Sequence, residues 1–347
     1  PIMAQSNRNL IIAVAVIAVV AVAAIAFIFL QPPPVEEETR YAFLLPGSIT
    51  DSGWNAQMYL SAQKAEEILP IKVTIAYGLG QTGVLSTYQE YAEAGYDVIW
   101  GHTIQYVDPA NQVAGDYPNI WFPGSEFYYR NYANVISMRS IMHEGSYICG
   151  MMAGALTNSG KVGYIGGFAY GTLIAYSNAF LLGANLTYVA RTGNPVNFSV
   201  VWGGVWDDVD KGREAGQAML SAGVDAILGR GNGLTLGVIQ ALAAENNTYM
   251  FGDIADQTAL ASDTIVASNV VNLTVTILLF DEMRVAGTLS NASTYVYGME
   301  YDENIVVRNP AFTDAMLNAN LANTTTWIAS VIASIKANTT EIFFQET

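Results

Sequence analysis

The chain has 347 residues, with 30 acids against 14 Lys and Arg, a net charge of −16 and only 13% charged residues. That balance excludes nucleic acid as a partner, because phosphates require a basic face. A single cysteine, Cys149, excludes an intramolecular disulfide framework, and two histidines, His102 and His143, leave little for histidine catalysis or a zinc site.

Leu10–Leu30 holds 21 consecutive apolar residues without charge, Pro or Gly. As a helix it spans roughly 31 Å, about one hydrocarbon core. A cleaved signal peptide has a shorter apolar region, and a helix apolar on every face fits a bilayer or the centre of an assembly better than a globular core. Arg8 precedes the run and Glu36–Glu38 follow it, so the positive-inside rule places residues 31–347 outside the cell. Pro32-Pro33-Pro34 make a short, stiff linker.

Beyond the linker, apolar strand-like runs alternate with helix-period stretches. Strands are predicted at Tyr41–Leu45, Ile71–Ala76, Tyr96–Trp100, Ile120–Pro123 and Asn134–Met138. Helices are predicted at Trp54–Leu69, Val84–Ala94 and Asp108–Asp116. The pattern then restarts with a helix over Glu144–Leu156 that is rich in small residues. Strands Val162–Ile165, Asn197–Trp202, Asp225–Leu228 and Tyr249–Phe251 follow, alternating with helices Leu173–Asn185, Asp210–Ala222 and Leu236–Glu245. Ile265–Ser268, Asn272–Val285 and Tyr295–Tyr301 read as crossings between lobes, and Thr324–Ala337 as a final amphipathic helix. Such alternation with uniformly apolar strands specifies parallel sheets covered on both faces, hence two α/β lobes with a ligand cleft at the carboxyl ends of the strands.

Those ends carry the candidate residues. Trp54 and Asn55 fall in the first turn of the helix after the first strand, where Thr50, Asp51 or Ser52 serves as cap. An exposed Trp there is costly unless it stacks on something. Trp206, beside Asp207, Asp208 and Asp210, occupies a similar turn in the second array. Two aromatics offered from facing lobes sandwich a flat ring. The loop Gly229–Gly233 lacks P-loop spacing, and Gly231 reads as a point of close backbone approach to a neutral ligand. Asp253 and Asp256 follow the last strand of the second array, as acceptors for sugar hydroxyls or as caps. His102 has no nucleophile or second acid–base partner at motif spacing, so it reads as a ligand contact or a loop hydrogen bond, and no enzyme is expected. No cofactor or metal motif is present in the sequence.

Seven Asn-X-Ser/Thr sequons, at Asn185, Asn197, Asn246, Asn272, Asn291, Asn323 and Asn338, are glycosylation candidates on an extracellular chain so poor in charge.

The segments Asp51–Asn55 (DSGWN), Gly101-His102 with Tyr106, His143–Gly150 (HEGSYICG), Lys161–Gly167 (KVGYIGG), Gly204–Asp207 (GVWD) and Ala255–Gln257 (ADQ) occur in that order. Together they resemble the basic membrane protein family of solute-binding proteins, nucleoside receptors of ABC importers. The resemblance implies a type I periplasmic-binding fold, two Rossmann-like lobes joined by three crossings, and a permease as partner. It also implies that Trp54 and Trp206 stack on a base, that Asp51 and Asn55 hydrogen-bond at the first-lobe wall, and that Asp253 or Asp256 faces a ribose. Two departures lie on the ribose side. Where the family often has G-V-D-x-D-Q, this chain has Gly252-Asp253-Ile254-Ala255-Asp256-Gln257, and Val270-Val271 stand where a Lys is common.

The expected organisation is a hydrophobic helix over 1–31, a linker over 32–40, a first lobe over 41–142 plus about 258–290, and a second lobe over 143–257 plus about 291–347. The expected function is an extracellular receptor for a nucleoside-like solute. The alternative is a pilus-like filament subunit, because Leu10–Leu30 begins close to Pro1 as in a processed type IV pilin. The helix then anchors one receptor in a membrane or packs many into a fibre core.

Overall fold

A computed structural model describes residues 38–289, 294–301 and 306–337. The expected helix Leu10–Leu30, the Pro-rich part of the linker, Asn291 and Asn338 lie outside the described residues.

In the first lobe, β1 (Thr39–Leu44) pairs in parallel with β2 (Ile71–Ala76) and with β3 (Val98–Gly101), and β4 (Phe122–Ser125) and β5 (Val135–Ser140) extend the sheet. Helices α1 (Trp54–Ile68), α2 (Val84–Glu93) and α3 (Val107–Ala114) cover it. Side chains alternate across a strand, so Tyr41 and Phe43 pack with Met58 and Ala62 on one face. Ala42 and Leu44 pack with Tyr88 and Val107 on the other. Residues Tyr41–Leu44 are fully buried, which is why this strand reads as an unbroken apolar run.

The second lobe repeats the plan with α4 (Met142–Leu156), β6 (Lys161–Gly166), α5 (Gly171–Thr192), β7 (Asn197–Trp202), α6 (Val209–Ser221), β8 (Ala226–Arg230), α7 (Gly233–Ala243), β9 (Tyr249–Ile254) and β10 (Ile265–Val270). Its strand order is β7-β6-β8-β9-β10, matching β2-β1-β3-β4-β5 of the first. Helix α5 runs seven residues past the Asn185 expected from sequence and stops where Gly193 turns left-handed at φ 77°. The glycines of α4 and α5 let the two backbones touch. A Cβ on Gly183 would lie 2.0 Å from Tyr147 O, and one on Gly154 would lie 2.1 Å from Ala184 O.

The chain passes between lobes three times, after β5, after β10 and after β11 (Thr294–Tyr297). The last crossing leads to β12 (Val306–Arg308), antiparallel to β10, and then to α9 (Asp314–Asn318) and α10 (Thr324–Lys336). Strand pairing assigns Ile265–Val270 to the second sheet and Thr294–Tyr297 to the first, unlike the expected grouping of about 258–290 with the first lobe and about 291–347 with the second. Helix α8 (Leu273–Val285) returns to the first lobe, where Tyr41 Oη donates to Asp281 Oδ1 at 2.6 Å and Arg284 Nε donates to Tyr41 Oη at 3.1 Å.

The crossings are tied to one another. Asn269 Nδ2, fully buried at the second, donates to Met142 O at 3.0 Å at the first. Ile141 N donates to Tyr297 O at 2.7 Å, and Met299 N donates to Glu144 Oε2 at 2.8 Å, joining the first crossing to the third.

Gly183→Leu should lower the thermal midpoint sharply, by at least about 3 kcal/mol of stability, because backbone rather than a flexible side chain blocks the new atoms. Calorimetric unfolding checks this. Burial, with a smaller contribution from Glu300, pushes the Glu144 carboxyl up to about 7. Between pH 4.5 and 7 the folded chain then binds a proton that the unfolded chain has lost, so this group costs stability as pH rises. Glu144→Gln should therefore stabilise the protein at pH 8 by on the order of 1 kcal/mol, allowing for partial exposure, with the gain vanishing below about pH 4.5.

Candidate ligand-binding cleft

The carboxyl ends of both sheets open onto one cavity of about 390 Å³, lined from both lobes. Trp54, Asn55, Trp206, Asp207 and Gly231, all expected from sequence, lie in its wall. Asp51, His102, Asp253 and Asp256 do not, and each has a structural partner instead.

Asp51 organises the turn that presents Trp54. Its Oδ1 accepts from Gly53 N and Ala56 N at 2.9 and 3.0 Å, and its Oδ2 accepts from Asn55 N at 3.1 Å and Asn55 Nδ2 at 2.6 Å. Both oxygens are thus spent on the start of α1, where orphan amide donors need acceptors. Asn55 is buried, and its Oδ1 accepts from Gly47 N at 3.1 Å, closing the turn against the end of β1.

His102 is the support of Trp54. The imidazole stacks on the indole with centroids 4.2 Å apart and planes 14° from parallel. Trp54 Nε1 donates to His102 O at 2.9 Å, and His102 Nε2 lies 2.9 Å from Trp54 O. A carbonyl only accepts, so Nε2 carries the proton. Nδ1 then accepts from Ser125 Oγ at 2.9 Å, and Ser125 Oγ accepts from Trp100 Nε1 at 3.1 Å. Burial holds the imidazole neutral, with its pKa down at about 3. One face of the indole is covered by histidine, leaving the half-buried ring in the cavity wall with a fixed orientation.

Trp206 is held by aromatic neighbours in the second lobe. Phe168 lies 5.1 Å from it and Tyr170 6.2 Å, centroid to centroid. A Cβ on Gly167 would strike the indole at 2.4 Å, so glycine is what admits the ring against the end of β6. Asp207 Oδ1 accepts from Gly233 N at 3.0 Å at the start of α7. Gly231 adopts φ 159°, which is extended backbone, and Asn232 brings its Oδ1 within 3.5 Å of Trp54 N across the cleft.

The floor is charged, and the sequence reading passed over it. Glu126 follows β4 in the left-handed region at φ 63°, and its side chain is 15% exposed. It lines the cavity, with Arg139 Nε 3.4 Å from Oε2 and Ser140 N donating to Oε1 at 3.1 Å. Burial pushes its carboxyl up against the pull of Arg139. From the second lobe, Arg230 packs over the Tyr176 ring at 4.3 Å and pairs with the buried Asp253. Asp253 is therefore the counter-ion of Arg230, and Ile254, at φ 70°, takes the wall position beside it. A β-branched residue at positive φ is a strained conformation of the kind that clusters at ligand sites. Asp256 is exposed, and its Oδ1 accepts from Thr258 N at 3.0 Å and Thr258 Oγ1 at 2.7 Å.

Residues 38–337 match the family described as ABC transporter substrate-binding protein, PnrA-like. The chain belongs to that family. Basic membrane protein A of Borreliella burgdorferi is 23% identical over 292 residues, covering 83% of this chain and 84% of that protein. A purine-binding protein of Brucella abortus is 27% identical over 236 residues, covering 66% and 64%. A Haloferax volcanii protein described as an ABC transporter glucose-binding protein is 29% identical over 197 residues, covering 56% of this chain and 49% of its own length. The chain thus spans about half to two thirds of the latter two relatives. Among solved structures, a solute-binding protein of Aeropyrum pernix aligns with TM-score 0.74 at 18% identity over 88% of this chain and 93% of that one. A myo-inositol binding protein of Caulobacter aligns with TM-score 0.55 at 14% identity over 76% and 93%. The fold is the type I periplasmic-binding arrangement of two Rossmann-like lobes.

His102 should remain a neutral Nε2–H imidazole from pH 8 to pH 5 in ring-nitrogen NMR; an imidazolium at pH 6 would contradict the buried support of Trp54. The unfolded chain binds this proton near pH 6.5 and the folded chain only near 3, so the contribution of His102 to stability is present above 6.5 and lost as pH falls toward 3.

Proposed function

We propose that this protein is a receptor outside the cell that closes its two lobes on one nucleoside-like solute and delivers it to an ABC permease, without converting it chemically. The observation that carries this reading is the pair of tryptophans, Trp54 from the first lobe and Trp206 from the second, in the wall of a single cavity. About 390 Å³ sits toward the lower end of the roughly 300–1,000 Å³ of ligand pockets, so the space suits one small solute. Indole faces favour a flat, polarisable ring, and two of them contribute about 0.5–1.5 kcal/mol each beyond the area buried. At the floor, Glu126 supplies a carboxylate in a low-dielectric setting, matched to an N–H on the rim of a base. Hydroxyls of an attached sugar have Asn232, Asp207 and Thr172 as neighbours in the wall. The named purine-binding relative supports the same class of solute. Under this reading Leu10–Leu30 tethers the receptor to the membrane, and the lobes hinge about the three crossings.

Titration calorimetry with adenosine, guanosine, inosine, cytidine and glucose tests the class. Heat with a purine nucleoside is expected; heat with none of the nucleosides removes the claim, and heat with glucose alone replaces the base by a sugar. Trp54→Ala and Trp206→Ala should each weaken binding more than about tenfold, on the order of 1.4 kcal/mol or more. Glu126→Gln should weaken binding by a similar factor, because the carboxylate accepts from the base; unchanged binding would remove that contact.

A further inference from the structure

The second lobe carries exposed sequons that share one pole. Asn185 is half-buried within α5, and its Oδ1 accepts from Val196 N at 2.9 Å. Asn272 is half-buried at the second crossing. Asn197, Asn246 and Asn323 are different, because all three are exposed.

Their positions converge. Asn197 is the first residue of β7, and Asn246 lies in the turn between α7 and the start of β9. Asn323 immediately precedes α10, and nearby Asn320 Nδ2 donates to Ala155 O at 3.1 Å, in the last turn of α4 just ahead of β6. All three therefore sit at the amino ends of the second-lobe strands, the pole opposite the ligand cleft. An edge strand starts at that pole. Among the described residues β7 pairs with β6 alone, and its sequence NFSVVW has no charge and no proline, with Val200 exposed. An edge of that composition is a template for unwanted pairing unless something covers it.

We propose that Asn197, Asn246 and Asn323 carry N-linked glycans that coat this pole, and that the glycan on Asn197 shields the β7 edge. In the transfer, Asn Nδ2 bonds to the anomeric carbon of a lipid-phosphate-linked oligosaccharide. The anomeric C–O bond to phosphate breaks, the lipid phosphate leaves with the electron pair, and Nδ2 loses one proton. The reaction rests on export of the chain. The arrangement leaves the cleft face bare.

Glycopeptide mass spectrometry of protein isolated from its own cells tests the assignment. Sugar mass on Asn197, Asn246 and Asn323, with Asn185 unmodified, is expected; an unmodified Asn197 or a glycan on Asn185 overturns it. Asn197→Gln and Ser199→Ala each remove the sequon by a different change. Both should shift the protein toward dimers or larger species in sedimentation while solute binding stays within twofold. Variants that remain as monomeric as the parent overturn the shielding role.

Discussion

Parallel pairing is the constraint from which the rest of the structure follows. Among the described strands all but β12 run parallel to their neighbours, so most connections are made by helices and all carboxyl ends of a sheet open on one side. Two such sheets joined by three crossings face those ends toward a shared cavity. Glu126, Trp206, Arg230 and Ile254 stand within or just after strands, and Trp54 opens the helix that follows β1, so the carboxyl ends of the sheets bring all five to the cavity.

The crossings make the two lobes mechanically one object without fusing them. Asn269 binds the second crossing to the first, while Ile141 N and Glu144 bind the first to the third. One continuous core holds Phe43 of the first lobe, Phe251 of the second, and Met138 and Met142 beside the first crossing. Rotation of one lobe against the other must therefore be absorbed at a few backbone positions beside these bonds. The close seam between α4 and α5 packs these two helices of the second lobe backbone to backbone.

Much of this was legible in the sequence, and the failures have physical causes. Ile71–Ala76 and Asn197–Trp202 have the limits read from their apolar runs. Trp54 and Trp206 stood out because tryptophan at a strand-to-helix turn needs a partner. Asp253 was misread because the strand was ended at Phe251. Once β9 runs to Ile254, alternation puts Asp253 on the face of Phe251, toward Arg230, and turns Ile254 to the cavity. Glu126 was missed because its environment comes from Arg139 and Ser140, 13 and 14 residues away, and from the second lobe; an acid at the carboxyl end of a strand was the one local signal. The role of His102 depends on a stack with a residue 48 positions distant, which no spacing rule encodes.

The claim at the centre of this account is that one flat solute lies between the two tryptophans. The most direct measurement is a crystal structure of the protein grown with saturating guanosine. Density for the base between Trp54 and Trp206, with an N–H directed at Glu126, is the predicted result. A guanosine bound away from both indoles, or a cleft that stays empty at saturation, would contradict it.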